Sequence, residues 1–304
     1  MKNLVIIITF LTFNLNSFSQ LKLDIGLTQL GKEDICQITR VSHDSWVDWS
    51  INDDYIVYIS PQSGNNNLYR IKIADLELTK VQSGFYAASY LLDSLAKNPT
   101  EQITFETERT VECPVIVPNS NKVAYRSYFC NESYECLDFD LRIYDFKTKE
   151  SKTIFKEEMY LFDFIDSERL LFVPHNNDSI IKELNIKTGK TSTFKTFDFK
   201  VTALQIHSGK LLINSSNGIY SIDLIKKDLE KKYSGKIFAT RLTIVDQKLV
   251  ATLPGPASGI IDLNTNTETK LFNAYDYEPT LSNDNKFVAV ISERALGILI
   301  KRIK

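Results

Sequence analysis

Unbalanced charge, histidine and cysteine are all scarce in this chain. Its 36 Lys and Arg face 38 Asp and Glu, a formal net charge of −2. General nucleic-acid or anionic-membrane binding needs a basic excess, so the balance excludes both. Eleven Gly and eight Pro are too few for collagen or a low-complexity linker. No Gly-x-Ser-x-Gly elbow is present, which excludes a nucleophile-elbow hydrolase. A phosphate-cradling Gly-rich loop and a Cys-x-x-Cys pair are missing too, so no cofactor is named by motif. What remains is ordinary for a folded protein: 43% apolar and 24% charged residues. A chain of 304 residues can bury roughly 75% of its unfolded surface and needs no staple to hold a core.

Long apolar runs are confined to the start. Lys2 is followed by an unbroken apolar-and-Thr stretch from Leu4 to Phe13, then by Ser17-Phe18-Ser19 before Gln20. A short basic start, an apolar core and small residues at −3 and −1 fit a secretory signal peptide cleaved after Ser19. A membrane-spanning helix needs about 20 apolar residues, twice this core. The expectation is residues 1–19 as signal peptide and residues 20–304 as one exported, soluble domain, periplasmic or secreted.

Export changes how the four cysteines read. Cys130 and Cys136 bracket Asn-Glu-Ser-Tyr-Glu and are expected to close a small loop in an oxidising compartment. Cys36 and Cys113 form a second pair by arithmetic alone; the other reading is two buried thiols acting as small apolar residues.

A repeat then dominates the chain. Tyr55-Ile-Val-Tyr-Ile-Ser is followed, after the turn-forming Pro61-Gln-Ser-Gly-Asn-Asn-Asn, by the alternating run Leu68-Tyr-Arg-Ile-Lys-Ile. The unit recurs with starts at Val123, Leu170, Leu211, Leu249 and Phe287, giving steps of 68, 47, 41, 38 and 38 residues from Tyr55. A strand precedes each pair, at Trp46–Ser50, Pro114–Val117, Leu161–Ile165, Thr202–Ile206, Leu242–Val245 and Glu278–Ser282. A polar turn and a fourth strand follow it, as in Lys147–Phe155, Lys187–Phe194 and Asn264–Phe272. Four strands in roughly 40 residues is the period of a propeller blade. The fold expected is all-β, a six-bladed propeller. The sixth copy ends without an outer strand, so an N-terminal strand, either Leu21–Leu30 or Asp34–Thr39, is expected to close the ring.

Gln37-Ile38-Thr39, Trp46-Val-Asp-Trp-Ser-Ile-Asn-Asp-Asp-Tyr-Ile-Val-Tyr58 and Ser63-Gly-Asn-Asn-Asn-Leu-Tyr69 together resemble the repeat of TolB-type propellers. Pro118-Asn-Ser-Asn-Lys122 and Ser282-Asn-Asp-Asn-Lys286 are closer copies of its turn, while the third to fifth copies match in period only. The resemblance implies a propeller alone, without the separate N-terminal α/β domain of TolB, and does not carry over that protein's envelope role.

Candidate chemistry is thin. His43, His175 and His207 fall in three different copies. Asp44, Asp48, Asp53 and Asp54 cluster with His43, Trp46 and Trp49 near the first blade, as a sugar or cation site does; Asp residues there also cap strand turns. Convergence of Asp44, Asp48, His175 and His207 is what an acid–base enzyme needs. Between a fourth strand placed near Val81 and Pro114 lie about 30 residues; Phe85–Lys97 reads as a short helix, with Tyr86 and Tyr90 on its apolar side. That insertion, and the acidic stretch Tyr128–Asp140 around Cys130 and Cys136, are candidate recognition elements. The reading is an exported, monomeric binding or scaffolding module of the cell envelope, non-catalytic, with a protein partner. The alternative is a carbohydrate-active hydrolase or lyase, or a small-ligand or metal binder. The candidate surface is His43, Asp44, Trp46, Asp48, Tyr86, Tyr90 and His175.

Overall fold

The apolar runs that mark the repeat are second strands, and each is buried on both faces. Tyr55–Ser60 and Phe287–Ser292 are buried along their whole length, and Arg169–Pro174, Lys210–Ser215 and Lys248–Leu253 at every residue but the first. The reason is alternation: Ile56 and Tyr58 pack toward one neighbouring sheet, Tyr55, Val57 and Ile59 toward the other. A strand with two apolar faces is stable only between two sheets. The structure, a computed structural model, describes residues 35–39, 43–76, 79–81, 98–131, 133, 135–235, 237, 241–253, 257–274, 276–293 and 297–303.

Six antiparallel four-stranded blades result. Their inner strands are Ser45–Trp49, Arg109–Ile116, Met159–Phe164, Val201–His207, Thr243–Val245 and Asp276–Leu281; blades one to five pair outward in sequence order, and blade six takes its outer strand from the N-terminal part of the chain. The buried apolar side chains form six clusters, one at each seam between adjacent blades, the sixth-to-first seam included. Each fully buried aliphatic side chain contributes roughly 1.5–3 kcal/mol, so the seams hold the ring. The expected six-bladed propeller is the fold.

Of the two candidate closing segments, Asp34–Thr39 contains the strand that seals the ring. Ile35–Gln37 pairs antiparallel with Gly297–Arg302 in the register Ile35↔Lys301, Cys36↔Ile300, Gln37↔Leu299. Gly297 is required there: a Cβ on it would lie 2.2 Å from the Thr39 carbonyl oxygen. Leu21–Leu30, and the signal peptide read in residues 1–19, lie outside the described residues.

The strand placed near Val81 is corrected. Thr79–Val81 pairs with the free edge of Ile35–Gln37 on blade six, and the fourth strand of blade one is Thr100–Gln102, paired with Asn67–Lys72. The three-residue closing strand leaves an unpaired edge, and the chain leaving blade one covers it before returning. The insertion therefore interrupts blade one rather than joining blades one and two. The helix read at Phe85–Lys97 lies outside the described residues. The stretch Tyr128–Asp140 is mostly strand: Lys122–Cys130 and Cys136–Asp145 form a long hairpin with Cys130 opposite Cys136.

Candidate functional site at the propeller axis

The inner strands converge on the axis, and most are bulged. Pairing slips between Ser45 and Asp48, Glu112 and Val115, and Tyr277 and Thr280. Trp46, Cys113 and Glu278 take up these slips with φ of 53, 52 and 54°, a left-handed backbone that non-glycine residues rarely adopt. Such a bulge re-aims the side chains beyond it. Here it turns Asp48, Val115 and Thr280 to the axis.

The polar groups so placed bind the neighbouring blade. Asp48 on blade one accepts the Ile116 N–H of blade two at 2.8 Å. Asp163 on blade three accepts the Ile206 N–H of blade four at 2.6 Å and its neighbour Phe164 N–H at 2.7 Å. Gln205 on blade four accepts the Leu242 N–H, ahead of blade five, at 3.0 Å. On the closing seam the Trp49 indole donates to the Thr280 carbonyl at 3.1 Å, and the Thr280 hydroxyl to the Val47 carbonyl at 2.9 Å. One position of the repeat thus does one job on blades one, three and four.

Arg241 crosses the axis. From the start of blade five it donates to the Val47 carbonyl (2.9 Å) and Asp48 carboxylate (3.0 Å) of blade one and the Pro114 carbonyl (2.7 Å) of blade two. Beside it the axis holds two spaces, a void of about 40 Å³ against Trp46, Cys113, Phe162 and Arg241 and a lower cavity of about 370 Å³ that Arg241 does not line. Asp48, Val115, Asp163 and Gln205 line both. The lower cavity is walled by all six blades and opens among the turns that follow the inner strands, at Ile51, Pro118, Ser208 and Asn283.

Electrostatics separate the two carboxyls. Burial raises Asp48 from its ordinary value, and the Arg241 guanidinium opposes this. Burial pushes Asp163 up to about 7, with the Asp48 charge acting in the same direction. Burial lowers His207 and pushes the Cys113 thiol up to about 12, which leaves that thiol un-ionised at neutral pH.

The sequence-derived candidates are spread out. His43 sits in an exposed turn at φ 71°. Asp44 is buried and accepts the Thr39 hydroxyl at 2.5 Å, beside the closing strand. Trp46 packs against the seams on both sides of blade two and lines the small void. His175, whose side chain is 60% exposed, lies 3.0 Å from Glu158 on the hairpin between the second and third strands of blade three. Only Asp48 and His207 share the lower cavity; Asp44 and His175 are elsewhere. Tyr86 and Tyr90 lie outside the described residues. A disulfide joins Cys130 and Cys136, while Cys36 and Cys113 are buried in different blades and are not joined. Among the described residues no three His, Cys, Asp or Glu side chains gather as a metal-ligand group, and no helix is long and apolar enough to cross a membrane.

Asp163, Gln205 and Arg241 are the axial residues that the sequence reading passed over. The first two carried a signal: Val47-Asp48-Trp49, Phe162-Asp163-Phe164 and Leu204-Gln205-Ile206 each set one polar residue between apolar ones at the same place in an inner strand. Arg241 lies in a connection, and nothing local marks it.

No protein-family model matches the chain, and no curated protein does. Solved structures do match. An oligogalacturonate lyase in complex with manganese aligns at 13% identity over 89% of this chain and 91% of that one, TM-score 0.53. A chain of the mitotic checkpoint complex aligns at 11% identity over 90% and 95%, TM-score 0.55. TolB from Acinetobacter baumannii is also among them, at 14% identity over 91% of this chain and 66% of that one, TM-score 0.49. At these identities the likeness is one of fold, the propeller, and the first two carry it.

Proposed function

We propose that this chain is an exported, monomeric, non-catalytic binding module of the cell envelope, its signal peptide removed after Ser19 and its propeller spanning residues 20–304. The observation that carries this reading is a division of labour. Axial Asp48, Asp163 and Gln205 each accept a backbone N–H of the next blade or of the segment leading into it, and so serve to hold the ring. Exposed apolar side chains instead mark blade two: Phe129 and Leu137 face each other across the clamped hairpin at 38% and 54% exposure, and Phe105, in the connection leading into the blade, is 74% exposed. Apolar residues on a rigid projecting element are what a protein partner engages. The Cys130–Cys136 bridge fits an oxidising compartment.

Affinity capture from solubilised bacterial envelope, with the chain from Gln20 as bait, tests it. The expected result is a specific partner that Phe129→Ser with Leu137→Ser loses while the melting temperature holds. A partner retained by that variant places the surface elsewhere. New reducing ends released from oligogalacturonate or another polysaccharide, with manganese present, would overturn the non-catalytic reading.

A further inference from the structure

When Asp163 is ionised, the lower axial cavity carries a negative charge that no ion pair among the described residues balances. Among the described residues its ionisable lining side chains are Asp48, Asp163 and His207. Asp48 is answered by Arg241 at 3.0 Å. His207 is lowered by burial and supplies no positive charge at neutral pH. Asp163 makes no ion pair among the described residues; each oxygen accepts one backbone N–H and retains a second lone pair. Two carboxylates and one guanidinium leave a deficit of one positive charge when both carboxyls are ionised. Trp49, Ile116, Phe164 and Ile206 also border the cavity, but they alternate with the axial residues and pack into the apolar clusters at the seams, so much of its surface is carboxyl, amide, hydroxyl and backbone. Arg241 lines the small void and not this cavity, which opens on the Ile51, Pro118 and Asn283 side. About 370 Å³ suits a small organic group.

We infer that this cavity is a binding site for an organic cation, an alkylammonium or guanidinium head seated on Asp163. A divalent metal fits less well: Ca²⁺ takes six to eight oxygen ligands, and among the described residues no three His, Cys, Asp or Glu side chains gather as a metal-ligand group. The site goes beyond the partner-binding reading and holds whether the head belongs to a free amine or to a Lys or Arg side chain of a partner.

The test follows the backbone amide resonances of Phe164 and Ile206, whose N–H groups touch the Asp163 carboxylate, in the full mature chain. Titration with n-butylamine and with n-butylguanidine is expected to give saturable shifts at both amides, with Kd of about 1 mM or below. Neutral 1-butanol and anionic butyrate are expected to give none. Asp163→Asn should weaken the amine by about tenfold or more, as loss of a charge-assisted hydrogen bond does. If that variant does not fold, the probe comparison in the native chain still decides. Equal response to butanol or butyrate, no saturable response to either cation, tighter saturation of the same amides by Ca²⁺, or unweakened binding in a folded Asp163→Asn each overturn the assignment. Among supporting outcomes, a Lys- or Arg-containing tetrapeptide binding more tightly than butylamine points to a partner side chain, and equal binding to a free amine.

Discussion

Asp48 and Asp163 occupy equivalent places in their strands, and one guanidinium separates them. Arg241 holds Asp48 in an ion pair, while Asp163 has two backbone N–H groups and burial that pushes it up to about 7 from 3.8. An acid whose folded pKa is raised binds its proton more tightly when folded. Its stabilising contribution is complete below about pH 4, declines as pH rises toward about 7, and is gone above that. The exposed turn carboxyls Asp145, Asp223 and Asp262 run the other way. Backbone N–H groups of their turns hold them below the usual range, and their contribution is lost only as pH falls below about 4. Urea midpoints are therefore expected to fall between about pH 5 and about pH 8, and Asp163→Asn should flatten that fall. The variant should also lose about 1 kcal/mol at every pH, because its amide nitrogen cannot accept one of the two N–H groups. Parallel slopes in the two proteins would assign the pH dependence to another group.

At the scale of elements, the chain reuses two devices. Asp145, Asn185, Asp223 and Asp262 each accept N–H groups two and three residues ahead, fixing the turn from third to fourth strand on blades two to five. The Ser50 and Ser282 hydroxyls accept N–H groups four and five residues ahead and so fix the turn after the inner strand on blades one and six. Those turns were legible from Asn, Asp and Ser at fixed offsets. The bulges at Trp46, Cys113 and Glu278 were not, since nothing in those residues favours positive φ. The blade-two hairpin is the other departure from the repeat, and its bridge spans a sequence separation of 6. So short a loop gains about 2 kcal/mol from chain entropy, and the effect is local to the tip. Replacing Cys130 and Cys136 together by Ser should move the melting temperature only a few degrees. Hydrogen exchange at the amides around 128–138 should speed up while the second strands of the blades stay protected. Unchanged exchange at the tip would mean that strand pairing alone orders the arm.

For the whole molecule, stability depends on closing the ring. The sixth-to-first seam joins Cys36 and Ile38 to Val47, Trp49, Ala289 and Ile300, and the Asp53 carboxylate accepts N–H groups of Asn283 and Asp284 across it. A chain beginning at His43 loses the strand Ile35–Gln37, its pairing with Gly297–Arg302 and the cover given by Thr79–Val81. Its melting temperature is expected to fall by about 10 °C or more. A peptide spanning residues 33–41 should restore part of that loss. An unchanged melting temperature would show that the seam contacts close the ring without the strand.

The class of fold is written in the order of residues, because each blade must bury the second strand on both faces and therefore carries an apolar run every forty or so residues. The turns are written there too, since their Asx and Ser chemistry is local. Which strand closes the ring and where Thr79–Val81 goes are set in three dimensions, because short polar-apolar segments pair equally well with more than one edge. The tertiary structure alone placed Arg241 across the axis in an ion pair with Asp48, and left Asp163 with no ion pair among the described residues. Those contacts join residues 127 to 194 positions apart in the case of Arg241, and no spacing in the chain encodes a distance set by six seams closing at once.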